Sequence, residues 1–199
     1  LENQSLFGIV QGGMYKDLRT QSIKEITEIG FPGYAIGGLS VGEEKNLMCD
    51  IAAHTAEYLP KNKPRYLMGV GTPEDLRQCS GMGIDMFDCV LPTRNARNGM
   101  LFTSAGPVRI KNARYRDDRR PLDPGCACFV CQRYTRSYLR HLHVSGEIVS
   151  SVLNTYHNLH FYLDLMNRIR QSIALDSLLQ LESDFRERYA ESTEESMVY

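Results

Sequence analysis

The 199-residue chain reads as an α/β protein in which parallel strands are covered by helices. Three observations lead there. Short apolar runs alternate with helix-period stretches four times in the first 91 residues. Glycines recur where those runs end, at Gly12-Gly13, Gly37-Gly38 and Gly69-Val70-Gly71. The third helix opens on Thr72-Pro73-Glu74-Asp75, a capping hydroxyl, a first-turn proline and two acids at the positive dipole end. Four such units are half of a closed barrel of eight.

The units follow in order. Leu6 to Gln11 reads as the first strand, and Lys16 to Ile29 as a helix with Leu18, Ile23, Ile26 and Ile29 near one face, ended by Gly30. Tyr34-Ala35-Ile36 is the second strand. Glu43 to Tyr58 is the second helix, stopped by Pro60. Arg65 to Val70 is the third strand, and Gly81 and Gly83 close the helix after it. Met86 to Leu91 is expected as the fourth strand. Its alternation puts Met86, Asp88 and Val90 on one side and Phe87 and Cys89 on the other. Glycine-rich C-terminal strand ends are where α/β proteins place ligands, because backbone without a Cβ can approach a flat molecule. No run fits a Walker loop, and Gly69-Val70-Gly71 lacks the third glycine of a dinucleotide fingerprint.

Asp88 stands at the end of the fourth strand, ahead of Pro92, Arg94 and Arg97. A carboxylate there, near cationic side chains, is placed to attack or stabilise an electrophile in an anionic substrate. The alternative is a loop aspartate that caps the next element. From Arg94 to Arg140 there are eleven Lys and Arg against three acids, a segment of +8 in a chain of net charge −1. That split suggests a polyanion-binding face. Arg109, Lys111, Arg114, Arg116, Arg119 and Arg120 alternate with apolar residues as a phosphate-contacting ribbon would; a solvated edge strand is the other reading.

Cys126, Cys128 and Cys131 crowd into this basic region, while Cys49, Cys79 and Cys89 stand apart as small buried hydrophobes. No basic-then-apolar leader precedes them, so the cluster reads as three thiolate ligands of a tetrahedral zinc. His141, His143, His157 and His160 are open as the fourth ligand. Four protein ligands leave no open position, which makes the expected role structural. The segment from Ser145 to Ile173 is helical by its apolar period, and a histidine on it would staple loop to helix. No apolar run approaches the length that spans a bilayer, and the chain is expected to be cytoplasmic.

Five runs in order resemble the tRNA-guanine transglycosylases of bacterial type, also called queuine tRNA-ribosyltransferases. They are Phe7 to Gly13, Gly33 to Glu43, Arg65 to Gly71, Asp85 to Arg94, and Cys126-x-Cys128-x2-Cys131 with His157. The resemblance implies the second half of a (β/α)8 TIM barrel with a zinc subdomain and C-terminal helices. On it, residues 1–105 are expected as the half-barrel and 106–199 as the basic zinc subdomain. It implies exchange of guanine at the wobble position of tRNAs with a GUN anticodon for a 7-deazaguanine base. Asp88 would be the nucleophile. Gln11, Gly38, Leu39 and Met68 would line the base pocket, with Glu43 behind it. Cys126, Cys128, Cys131 and His157 would hold zinc, and Arg94 and Arg97 would meet tRNA phosphates. Tyr134, Tyr138 and His141 match a homodimer patch, and their i, i+4, i+7 spacing suggests one helical face. Val41 resembles members that take prequeuine rather than the bulkier queuine. Family members are close to twice this length. The matching half starts near their fifth strand, without the half that supplies a second catalytic aspartate. The rival expectation is an inactive fragment or a non-catalytic zinc-bearing subunit that binds tRNA.

Overall fold

The computed structural model describes residues 4–185 and 187. They fall into two compact units, one up to Val90 and the other from Leu91. The first unit contains β1 (Phe7–Val10), α1 (Lys16–Ile29), β2 (Gly33–Ile36), α2 (Lys45–Tyr58), β3 (Arg65–Leu67), α3 (Pro73–Gly81) and β4 (Met86–Phe87). The strands form one parallel sheet in the order β1-β2-β3-β4. Val10 lies opposite Ile36, Ile36 opposite Leu67, and Leu67 opposite Phe87, so the four C-terminal ends line up along one edge. Beneath them Val10, Ile36, Ile51, Leu59 and Leu67 form a closed apolar core. Thr72 caps α3 by accepting from the Asp75 N–H, and Gly30 ends α1 in the left-handed region at φ 82°.

The expected fourth strand is shorter than its apolar run. It ends at Phe87, so the alternation argument stops there, and Asp88 and Val90 lie beyond it. Leu91 already opens α4 (Leu91–Arg97). Pro92 explains the difference: it lacks the N–H that a ladder needs and fits a first helical turn, where that donor has no use. The third strand likewise closes at Leu67 rather than Val70, because Gly69 turns to φ 74°.

The second unit contains α4, an antiparallel hairpin of β5 (Met100–Thr103) and β6 (Gly106–Arg109), a short 3-10 turn at Ala113–Tyr115, α5 (Phe129–Arg133), α6 (Arg136–Val144) and α7 (Ile148–Ala174). The chain divides at Val90/Leu91, ahead of the 105/106 boundary read from the sequence, since α4 and β5 pack on α7. Leu101, Ile110, Leu122 and Leu139 are its fully buried centre. Three polar residues of α7, Asn154, His157 and Asn158, are also wholly buried. Asn158 donates to the carbonyls of Pro92 (2.9 Å) and Met100 (3.1 Å) and accepts from the Phe102 N–H (3.0 Å). Asn154 donates to the carbonyl of Ala96 at 3.4 Å. These bonds fix α7 against α4 and the hairpin, and they meet the demand that buried polar groups be paired.

Candidate functional site

Asp88 sits at the aligned strand edge and is exposed. Its Oδ1 accepts from the Tyr66 hydroxyl at 2.6 Å and from the Gly69 N–H at 2.8 Å. Both donors come from β3 and its following turn, the strand next to β4 in the sheet. The Tyr66 hydrogen bond, then that of Gly69, holds the Asp88 carboxyl below the ordinary carboxylate range. The same bond pushes the Tyr66 phenol up to about 12. Oδ2 has no hydrogen bond among the described residues. The arrangement is an ionised carboxylate with one oxygen clamped and the other available, which suits a nucleophile.

Tyr66→Phe removes the stronger donor. The Asp88 carboxyl is expected to rise towards the ordinary carboxylate range, with the Gly69 N–H still holding it below. The stabilisation carried by this carboxylate is present above that ordinary range and is lost as pH falls through the depressed one. The substitution therefore shrinks that stabilisation and its acid-side loss, and it moves the Asp88 carboxyl titration, followed by carbon NMR, to higher pH. An unchanged midpoint would remove Tyr66 from the site. At the other end the phenol's share is complete below about pH 10 and is lost as pH rises through about 12.

Gln11, Gly37 and Gly38 meet at the β1 and β2 ends. A Cβ on Gly37 would stand 2.7 Å from Gln11 Nε2, and one on Gly38 would stand 2.7 Å from Gln11 Oε1. Gly38 also sits at φ 67°, a conformation that disfavours any side chain. The Gln11 amide thus lies directly on this backbone. Gln11 and Gly38 are exposed and Met68 is half-buried, whereas the Leu39 side chain belongs to the core. Glu43 accepts from the N–H groups of Ser40 and of Val41 (2.9 Å), bracing the loop after Gly38. Burial works to raise the Glu43 carboxyl, but the N–H groups of its own residue, Ser40, Val41 and Gly42 outweigh it and the pKa is lowered. Gln11, Gly38, Met68 and Asp88 accordingly share one strand edge of the first unit.

Under that edge lies Arg19, wholly buried. Its guanidinium donates to the carbonyls of Gly13 (2.9 Å), Gly37 (2.9 Å) and Val10 (3.4 Å). Sequence reasoning passed over both Arg19 and Tyr66. Arg19 looks like a polar position on a surface helix. Tyr66 looks like one more apolar strand residue, and its partner is 22 residues away.

In the second unit Cys126, Cys128, Cys131 and His157 bring one ligand atom each within 4.8 Å of one another, and the set could hold a metal ion. The three sulfurs stand 4.0, 3.5 and 3.4 Å from His157 Nδ1. A tetrahedral ion with ligand bonds of about 2.0–2.3 Å separates sulfur from nitrogen by about 3.6 Å. His157 Nε2 is 2.7 Å from the Phe102 carbonyl oxygen, which takes its proton and leaves Nδ1 as the donor atom for an ion. N–H groups support the sulfurs: Cys128 N–H donates to Cys126 Sγ and Cys131 N–H to Cys128 Sγ, both at 3.4 Å. Hydrogen bonds among the three thiols pull Cys128 strongly down and push Cys131 strongly up, so the group shares its protons unequally. Of the four histidines left open by the sequence, His157 alone faces all three sulfurs. His160 Nδ1 approaches only Cys126, at 3.7 Å.

Arg94 and Arg97 are exposed on α4 of the second unit. Arg109, Lys111, Arg114, Arg116, Arg119 and Arg120 are exposed too, but not all of them are free ribbon cations. Arg120 forms a bidentate pair with Asp118 at 2.9 and 2.8 Å, and Arg114 lies 4.8 Å from the Tyr115 ring centre. The single helical face expected for Tyr134, Tyr138 and His141 needs correction. Tyr134 is extended at φ −123°, ψ 147°, ahead of α6, whose cap is Thr135. Its ring still stacks on Tyr138, with centres 5.3 Å apart and planes 19° from parallel.

A protein-family model described as Queuine tRNA-ribosyltransferase matches residues 1–191. The chain belongs to that family. It is 58% identical to the queuine tRNA-ribosyltransferase of Staphylococcus epidermidis over 192 residues, 96% of this chain and 51% of that protein. Against the protein of the same name from Azoarcus sp. strain BH72 it is 59% identical over 191 residues, 96% of this chain and 52% of the other. The Methylobacillus flagellatus protein of that name is 58% identical over 183 residues. The chain spans about half the length of the curated relatives it matches. The strand edge around Asp88 lies within the first unit and the thiol cluster within the second. No helix among the described residues is long and apolar enough to cross a membrane.

Proposed function

We propose that this chain carries the nucleophile and part of the base pocket of a tRNA base-exchange enzyme. In the relatives' (β/α)8 barrel, β1–β4 would be the second half. The observation that carries the reading is the Asp88 carboxylate, clamped at Oδ1 by Tyr66 and Gly69 with Oδ2 unbonded among the described residues, on the same edge as Gln11 and Gly38. Exchange of a base without cutting the strand needs the glycosidic bond broken and remade at one carbon. Asp88 Oδ2 attacks C1′ of the wobble ribose, the bond to N9 of guanine breaks, and guanine leaves with the electron pair and takes up a proton. The pyrrole nitrogen of the incoming 7-deazaguanine base then gives up its proton and attacks C1′, and the carboxylate departs. Two inversions give net retention, as in retaining glycosidases. The target base must leave its stack, which favours an anticodon loop with GUN sequence over a duplex.

In this reading Gln11 bonds a purine edge through its amide, the backbone at Gly38 and Leu39 bonds the ring, Met68 packs on its face, and Glu43 braces the loop. Val41, 77% exposed, narrows the site for prequeuine over queuine. Cys126, Cys128, Cys131 and His157 hold zinc, whose preference for soft tetrahedral Cys3His sites matches the donor set, and its role is structural. Arg94 and Arg97 hold tRNA phosphates. The Tyr134–Tyr138 stack and exposed His141 form a patch for a second copy, and the enzyme works on cytoplasmic tRNA.

The test incubates the chain with tRNA and labelled guanine and looks for a covalent adduct on a denaturing gel. Labelled tRNA and a trapped adduct are expected. tRNA retention with neither would favour a non-catalytic zinc-bearing subunit, and no retention an inert piece. Binding should also fall steeply with salt, and Arg94→Ala should lower the slope of log K against log salt by about one. An unchanged slope would take Arg94 off the phosphate path.

A further inference from the structure

Arg19 has no place in the chemistry above, yet its surroundings are unusual. It is wholly buried, and its three hydrogen bonds all go to carbonyls, those of Val10, Gly13 and Gly37. Burial lowers its pKa and the charge of Glu43 works against that. No carboxylate lies within ion-pair distance of it among the described residues. A buried cation costs free energy, and a lysine could not reach three carbonyls with one planar fork. Of the three carbonyls it grips, that of Val10 leads into Gln11, that of Gly13 lies two residues beyond Gln11, and that of Gly37 leads into Gly38. The Gly37 carbonyl and the Gly38 N–H belong to the same peptide unit. Gly38 is exposed, and its N–H has no partner among the described residues.

We infer that Arg19 is a positioning and specificity-determining residue for the base: by donating to the Gly37 carbonyl it aims and polarises the Gly38 N–H as donor to the C6 carbonyl oxygen of guanine and of 7-deazaguanines. A charge-assisted bond on the carbonyl draws electron density along the peptide and strengthens its N–H as a donor. The grip on Val10 and Gly13 sets the Gln11 amide against the same peptide, where the separations of 2.7 Å leave no room for a side chain. The inference rests on the base-pocket reading given above and adds to it the side chain that holds and polarises the Gly38 peptide.

The experiment compares guanine with 2-aminopurine, which lacks the C6 oxygen and the N1 proton of guanine, and reads the Arg19-dependent part of the difference. Dissociation constants for both are measured by calorimetry on the unaltered chain and on Arg19→Lys. The substitution is expected to weaken guanine by about tenfold and 2-aminopurine by less than about twofold, so that discrimination falls by that ratio. A purely structural role would weaken both alike, and that result overturns the inference. If the unaltered chain prefers guanine and Arg19→Lys keeps the same preference, only the inference fails. If the unaltered chain binds neither compound, the base-pocket reading fails and the inference with it. A measurement needing no variant guards against a misfolded one. The Arg19 Nε–H proton resonance should shift when guanine binds and stay when 2-aminopurine binds, and equal shifts with both would also overturn it.

Discussion

Asp88→Asn is expected to abolish base exchange and covalent trapping while leaving the fold intact. The amide oxygen still accepts from Tyr66 and Gly69, so the clamp seen on Oδ1 can re-form. What disappears is the charge on the attacking atom. An amide is a very poor nucleophile, and loss of a covalent catalyst costs on the order of 10⁴-fold or more. The check is labelled guanine entering tRNA, with thermal midpoints of both proteins alongside. Trapping by Asp88→Asn at the unaltered rate would mean that another group attacks the ribose. Equal midpoints with lost exchange would separate chemistry from stability.

The second large effect is removal of metal. Chelation should strip one metal ion per chain from the Cys126, Cys128, Cys131 and His157 set and destabilise the second unit. A ligand held a thousand-fold above its dissociation constant contributes about 4 kcal/mol by linkage. For a unit of about 100 residues that lowers the midpoint by roughly 15 °C or more. Cys128→Ser should do the same without chelator, since Cys128 both faces His157 Nδ1 and caps α5. Elemental analysis reads the metal and calorimetry the unfolding. A chain that keeps its midpoint after complete metal loss would rule out a structural ion at the thiols.

The parallel sheet, the glycine-marked strand ends and the three thiols could be read from local sequence, because each rests on a period or a spacing. Asp88 was found for the same reason, as a carboxylate between an apolar run and Pro92. Its clamp was not. Tyr66 and Gly69 reach it across the sheet, and nothing in a 12-residue window announces a partner on the next strand. Arg19 was hidden because a charged residue on a helix is normally solvated, and only packing against three carbonyls reveals otherwise. Strand lengths were overestimated where hydrophobicity ran past the ladder. Val90 and Leu91 are apolar, but the backbone at Pro92 turns them towards a helix. The helical placement of Tyr134 erred in the same way. Spacing alone placed Tyr134 on the helix, whereas the Thr135 cap starts that helix one residue too late to include it.

The buried polar ridge of α7 has a consequence for assembly. Asn154, His157 and Asn158 each bond a specific main-chain group of α4 or the hairpin. Sliding the helix by one turn, about 5.4 Å, would strand every one of those groups without water. The ridge therefore works as a key with a single seating, and the imidazole is oriented by a main-chain bond of its own. An ion held by the three thiols and His157 Nδ1 would be tied through Nε2 to the Phe102 carbonyl, and so to the hairpin as well as to the thiol loop.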